Sequence, residues 1–235
     1  MNLVGIDFSI NSPAFCCLKD GKYTWGSVTR SERSPESLLK NKKKPYSVLD
    51  QNDNFILNFI GKRELPEDYT GRERSKIVHF LEIVDSLWDS IISVMGHDPF
   101  YVAIEGLSFS SKGNALIDIS MATGILRERI ISEVGEDAFY VFSPTTIKKY
   151  AVKGTAKKDE LYHALCDFEE SETNLEDFSR ILKENKEEWI TPKKVVNKPI
   201  DDIVDATWIN LYLKKELEGI YGTKGNFEGT SKSGL

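Results

Sequence analysis

Apolar residues come in short runs at the start of the chain and at helical spacing further on. Residues 3–8 (Leu-Val-Gly-Ile-Asp-Phe) read as a short strand. Asp20-Gly21 is a two-residue turn signal between apolar residues 14–18 and 23–28. The first 28 residues therefore read as three antiparallel strands. Residues 72–95 place Ile77, Phe80, Leu81, Val84, Leu87, Trp88, Ile91 and Ile92 on one helical face. Residues 101–105 and 138–142 read as buried strands, and residues 114–134, 145–150, 157–168 and 200–217 as helices.

This order predicts an α/β fold. Three antiparallel strands continue into parallel strands through helical crossovers, giving a mixed sheet with helices on both faces. Residues 1–218 read as one domain with insertions at about 30–70 and 169–198. The first insertion is polar, holds Pro35, Pro45 and Pro66, and carries a short strand candidate at 55–60. Residues 219–235 contain five glycines and little that forms a core, so they read as a flexible tail.

Composition narrows the class. Apolar residues are 40% of the 235 and charged residues 29%, as in ordinary globular proteins. No run approaches the ~18–20 apolar residues of a membrane span. The first nine residues lack the basic-then-apolar pattern of a secretory leader. Cys16, Cys17 and Cys166 are too few for a disulfide framework or a four-thiolate zinc site. The expected setting is a reducing cytoplasm, which for a viral protein is the host's.

The net charge of −6 argues against a nucleic-acid partner until its distribution is considered. Residues 159–188 hold eleven acidic and three basic side chains, so the remainder of the chain is slightly positive. Residues 40–44 (KNKKK) and 148–158, with five lysines, are basic clusters suited to tracking phosphates.

Three acidic positions stand out. Asp7 and Glu105 lie inside or at the end of apolar strands, and Asp202 and Asp205 are three apart on the last helix. A carboxylate on a core strand is costly unless it is paired or holds a cation. Four carboxylates without a histidine motif point to hard, oxygen-preferring Mg²⁺ or Mn²⁺ and away from zinc. Each acid taken singly also has an ordinary structural role, such as a lysine partner or a helix first turn. Asp201, four residues before Asp205, is an alternative ligand to Asp202. His79, His97 and His163 have no metal-ligand spacing.

The ordered motifs resemble the RuvC family of Holliday junction resolvases, within the RNase H-like superfamily. Gly5-Ile6-Asp7-Phe8-Ser9 is similar to the family's first strand, and Ala103-Ile104-Glu105 to its second acidic strand. Residues 114–126 are similar to the helix that follows. Ser143-Pro144, Ile147-Lys148 and Gly154-Thr155-Ala156-Lys157-Lys158 resemble the lysine-bearing stretch, and Asp202-Ile203-Val204-Asp205-Ala206 the closing helix.

The resemblance implies an RNase H-like homodimer with two Mg²⁺ ions per site, Mn²⁺ substituting. It implies an endonuclease cutting four-way or otherwise branched DNA, and 5′-phosphate and 3′-hydroxyl ends. Asp7, Glu105, Asp202 and Asp205 would be catalytic metal ligands. Lys148, Lys149, Lys157 and Lys158 would meet the DNA. The family's aromatic after the second acid falls one position late here, at Phe109, a stacking candidate. Met121, Gly124 and Ile125 read equally as core or as a dimer face. Other RNase H-like nucleases, acting in packaging, in transposition or on RNA–DNA hybrids, remain alternatives. So does an actin-like ATPase, which also begins with a Gly-Ile-Asp strand.

Overall fold

The Asp20-Gly21 signal acts as a hairpin turn because both residues adopt positive φ, at 50° and 79°. That is the geometry of the primed turns that match strand twist. The turn joins β2 (Ala14–Lys19) to β3 (Lys22–Ser31) in antiparallel register, and β2 pairs antiparallel with β1 (Leu3–Asp7). The computed structural model describes residues 1–40, 45–107, 113–170 and 173–224, with side chains through residue 220.

On the other side of β1, β5 (Tyr101–Glu105) runs parallel to it, and β6 (Phe139–Phe142) runs parallel to β5. This is the expected mixed sheet of antiparallel and then parallel strands. The 30–70 stretch adds to it. It supplies two short helices, α1 (Pro35–Leu39) and α2 (Tyr46–Leu49), and the strand β4 (Phe55–Gly61). Strand β4 pairs parallel with β3 at the sheet edge, giving the order β4-β3-β2-β1-β5-β6.

The two-residue period of the strands sorts their side chains onto two faces. Val4, Ile6, Phe15, Cys17, Val102 and Ile104 pack under α3 (Tyr69–Met95) and α4 (Asn114–Val134), with Val84, Leu87, Trp88, Ile91, Leu126 and Ile130. Leu3, Ala14, Cys16, Trp25 and Ala103 face the other way. There they meet α8 (Ile200–Lys224) through Ile203, Val204 and Ala206. Behind α8 lie α5 (Pro144–Ala151), α6 (Lys158–Cys166) and α7 (Leu175–Trp189). Cys16, Cys17 and Cys166 are all buried and unbridged. Among the described residues no helix is long and apolar enough to cross a membrane.

Helix α8 extends past the expected end at residue 217 and carries Gly219 and Gly222 as helix to Lys224. The rest of the expected tail lies outside the described residues. The helix is fastened to the sheet through polar groups as well as apolar ones. The Asn210 side chain donates to the carbonyls of Leu3 (3.1 Å) and Cys16 (2.8 Å), and the Trp25 indole donates to Thr207 (3.1 Å).

Gly5 sets the approach of α8 to β1. A Cβ on Gly5 would sit 2.4 Å from the Ala206 carbonyl oxygen and 2.5 Å from the Asn210 nitrogen, both backbone atoms. Overpacking of this kind costs about 1–3 kcal/mol. The variant G5A should therefore lower the urea midpoint of unfolding by a corresponding amount with an unchanged denaturant slope. A midpoint equal to the parent's would show that α8 does not need the contact.

Candidate functional site

Asp7 and Glu105 meet because of strand register. The β1–β5 ladder runs from Leu3 opposite Tyr101 to Ile6 opposite Ile104, so Asp7 and Glu105 are the next pair along. Alternation puts them on the face of Gly5 and Ala103, beneath α8. Apolar residues up to that point drive the strands inward, and the two acids ride with them to the rim of the core.

Helix α8 then delivers the other acids. Its first turn starts at Ile200, with Asp201 and Asp202 inside it, where acidic groups also suit the helix dipole. Asp205 follows one turn later. The contact at Gly5 with Ala206 holds this turn against β1, next to Asp7.

Two lysines partner these acids. Asp202, only 4% exposed, receives the Lys198 ammonium at 2.8 and 3.0 Å. It also accepts a hydrogen bond from the Ser12 hydroxyl, which itself accepts from Lys198 at 2.9 Å. Asp205 is ion-paired through one oxygen to Lys158, the first residue of α6. Among the described residues, the other oxygen of Asp205 and Oδ1 of Asp201 are buried without a hydrogen-bond partner. Among the described residues, five carboxylates thus share two close ammonium groups.

The imbalance raises the affinity of the acids for protons. Burial, followed by the charge of Asp205, holds Asp7 well above the usual carboxylate range; Asp202 and Glu105 add to it, while Lys158 opposes. Burial and Asp205 push Glu105 up to about 7, against Lys158 and Lys148. Burial and Asp202 push Asp201 up to about 6. Asp205 is also raised by burial, with Lys158 pulling the other way. Lys158 is held above its ordinary value: burial lowers it, but Asp205 and Asp7 outweigh that.

All four expected acids, and the alternative Asp201, therefore gather at one end of the sheet. Asp202 lies in the field of Asp7, and Asp201 in that of Lys158 and Lys198. Lys148, on α5, acts on both Glu105 and Asp205. Lys149 is exposed on the same helix, and Lys157 is exposed at the start of α6, its backbone N–H bonded to Glu160. Phe109 lies outside the described residues, as do residues 41–44. His79 is buried in α3, away from the acids.

Neither Ser12 nor Lys198 is among the site residues expected from the sequence. Lys198 stands four residues before Asp202, the spacing of a helical ion pair, which is a signal a sequence carries. Ser12 carries none, because its partner is 190 positions away. Tyr46 of α2 borders the group: burial chiefly raises its phenol, and Asp202 adds to that. A cleft of about 1010 Å³ lies at the opposite end of β5 and β6, lined by Trp88, Phe100, Tyr101 and Tyr140, and takes in none of these acids.

The donor set suits a hard divalent cation, because every ligand offered is a carboxylate oxygen and two of those oxygens lack a partner. Among the described residues, no three histidine, cysteine or acidic side chains are gathered closely enough to hold a cation as they stand. The ammonium groups of Lys158 and Lys198 stand against the carboxylates instead.

No protein-family model matches the chain, and no curated protein does. Among solved structures, the chain is similar to Thermus thermophilus RuvC, with 13% sequence identity, 92% of this chain and 96% of that chain covered, and a TM-score of 0.43. The structure of T. thermophilus RuvC in complex with Holliday junction substrate gives the same identity and coverage at a TM-score of 0.42.

The raised acids carry a stability signature. The folded chain holds these protons more tightly than the unfolded chain, so the stability these groups contribute is full below the ordinary carboxylate value of 4.5 and is lost as pH rises through about 7. In a chelator-containing buffer, the unfolding free energy should be lower at pH 8 than at pH 5.5. The variant D7N should be more stable than the parent at pH 8 and show a flatter pH dependence. A parent whose stability rises across this interval would contradict the charge balance described here.

Proposed function

We propose that the chain is a divalent-cation-dependent endonuclease acting on four-way or other branched DNA. One observation carries this reading. Asp7, Glu105 and the Asp202/Asp205 pair come from segments far apart in sequence and converge at one sheet end, with more negative charge than their lysines offset. A fold does not assemble and bury mutually repelling carboxylates for its own stability. The motif order noted in the sequence supports the same reading.

In this proposal Asp7, Glu105, Asp202 and Asp205 hold two Mg²⁺ ions, with Asp201 beside them. Bound there, the cations would supply Lewis-acid stabilisation of the attacking and leaving oxygens in phosphodiester hydrolysis. The chain's own residues bind and orient the DNA. Lys148, whose charge acts on Glu105 and Asp205, would meet the phosphate being cut. Lys149 and Lys157, both exposed, extend that basic surface along α5 and the start of α6. A second copy of the chain, which the resemblance implies, would present a second site to the opposite strand of a junction.

The test is cleavage of labelled four-way junction, fork, linear duplex and RNA–DNA hybrid, with and without Mg²⁺. Mg²⁺-dependent cutting strongest on the junction supports the reading. Equal cutting of linear duplex or hybrid would instead favour a nuclease of broader substrate, and no cutting of any would refute the proposal. D7N should abolish cleavage and leave junction binding nearly unchanged. Replacing Lys149 and Lys157 together with glutamine should weaken binding evenly across substrates. It should also reduce the salt slope of the binding constant by about one to two. An unchanged slope would remove those lysines from the interface.

A further inference from the structure

The two lysines at the acidic cluster are held very differently. Lys198 is pinned: its ammonium bonds both oxygens of Asp202 and the hydroxyl of Ser12, at 2.8–3.0 Å. Its partners are almost wholly buried, Asp202 at 4% and Ser12 at 3% exposed. Among the described residues, Lys158 makes one contact, to a single oxygen of Asp205, and the other oxygen of that carboxylate has no partner. Its side chain, 44% exposed against 51% for that of Lys198, stands at the first residue of α6.

Holding Lys198 away from Asp202 would strand a buried charge, which is costly. Moving Lys158 off Asp205 breaks one such contact, where freeing Lys198 would break three. Lys158 also stands at the centre of the cluster's field. Its charge acts on Asp205, Asp7, Glu105 and Asp201. A divalent cation entering among the same groups meets Lys158 as a competitor.

We infer that Lys158 is an exchangeable counter-ion. It neutralises Asp205 until a divalent cation takes that carboxylate, and the displaced ammonium then turns to the DNA backbone. This rests on the cation-dependent reading above. Lys198 and Ser12 stay in place and keep Asp202 fixed. Lys158 is thus a positioning residue that couples two binding events. Cation binding frees a phosphate contact, and phosphate capture by Lys158 opens Asp205 to the cation. By linkage the two affinities rise by the same factor.

The experiment uses the full chain at pH 8, with Ca²⁺ as the probe cation. Calorimetry should show K158M binding Ca²⁺ at least about fivefold tighter than the parent, the lower end of ordinary coupling. K158R, which restores a competing cation, should return the affinity to the parent's. Ca²⁺ should tighten four-way junction binding by the parent and do so much less for K158M. In the unaltered chain, ¹⁵N signals of the lysine ammonium groups provide a readout that needs no variant. Ca²⁺ should shift the Lys158 signal and leave that of Lys198 where it is. Equal or weaker Ca²⁺ binding by K158M, or a Lys158 signal unmoved at saturating Ca²⁺, would overturn the exchange. Ca²⁺ binding to neither chain would overturn the cation site itself, and the exchange with it.

Discussion

Helix α8 lies so close to β1 at Gly5 that no side chain fits between them. Everything at the acidic end of the sheet follows from that approach. The backbone of Ala206 and Asn210 rests on the strand two residues before Asp7, so the turn carrying Asp205 and Asp202 is brought to the same rim. Asn210 reinforces the contact by donating to carbonyls of both β1 and β2. Buried polar bonds of this kind give a helix one position along a sheet, whereas apolar packing alone tolerates sliding. Ala103, opposite Gly5 on β5, keeps the neighbouring strand equally low beneath the helix.

The approach has an electrostatic consequence. Carboxylates that would be fully ionised in water are pressed together in a partly desolvated corner. Their mutual repulsion, added to burial, shifts Glu105 to about 7 and Asp201 to about 6. Lys198 and Lys158 offset part of this charge. The remainder is the kind of stored imbalance that functional sites carry at the expense of stability. It is also local. The chain as a whole is only modestly acidic, and the charges of Lys148 on α5 and Lys158 on α6 act on the acids.

The surroundings of the cluster come from parts of the chain without motif character. Residues 30–70 build the edge strand β4 and the short helix α2, whose Tyr46 reaches the field of Asp202. The loop after β1 contributes Ser12, and the approach to α8 contributes Lys198. These groups govern which carboxylates are committed to internal bonds and which remain open to a ligand. The acid set and its working state are therefore set by different portions of the molecule.

Much of the architecture was readable from residues alone. The short apolar runs of residues 3–8 and 101–105, the Asp20-Gly21 turn and the spacing of the helices are local signals, and each encodes its element through short-range physics. Asp7 and Glu105 were recognisable because a charged residue contradicts an apolar strand, and that contradiction is visible without coordinates. Their meeting, and the arrival of α8, required the fold. So did the parallel docking of β4 beside β3, since nothing in a seven-residue strand names its neighbour. The partners of the acids were the least legible. Ser12 and Asp202 are 190 positions apart, and Lys158 and Asp205 are 47 apart. Hydrogen bonds and ion pairs across such distances depend on where packing places side chains, and no local pattern along the chain encodes that placement.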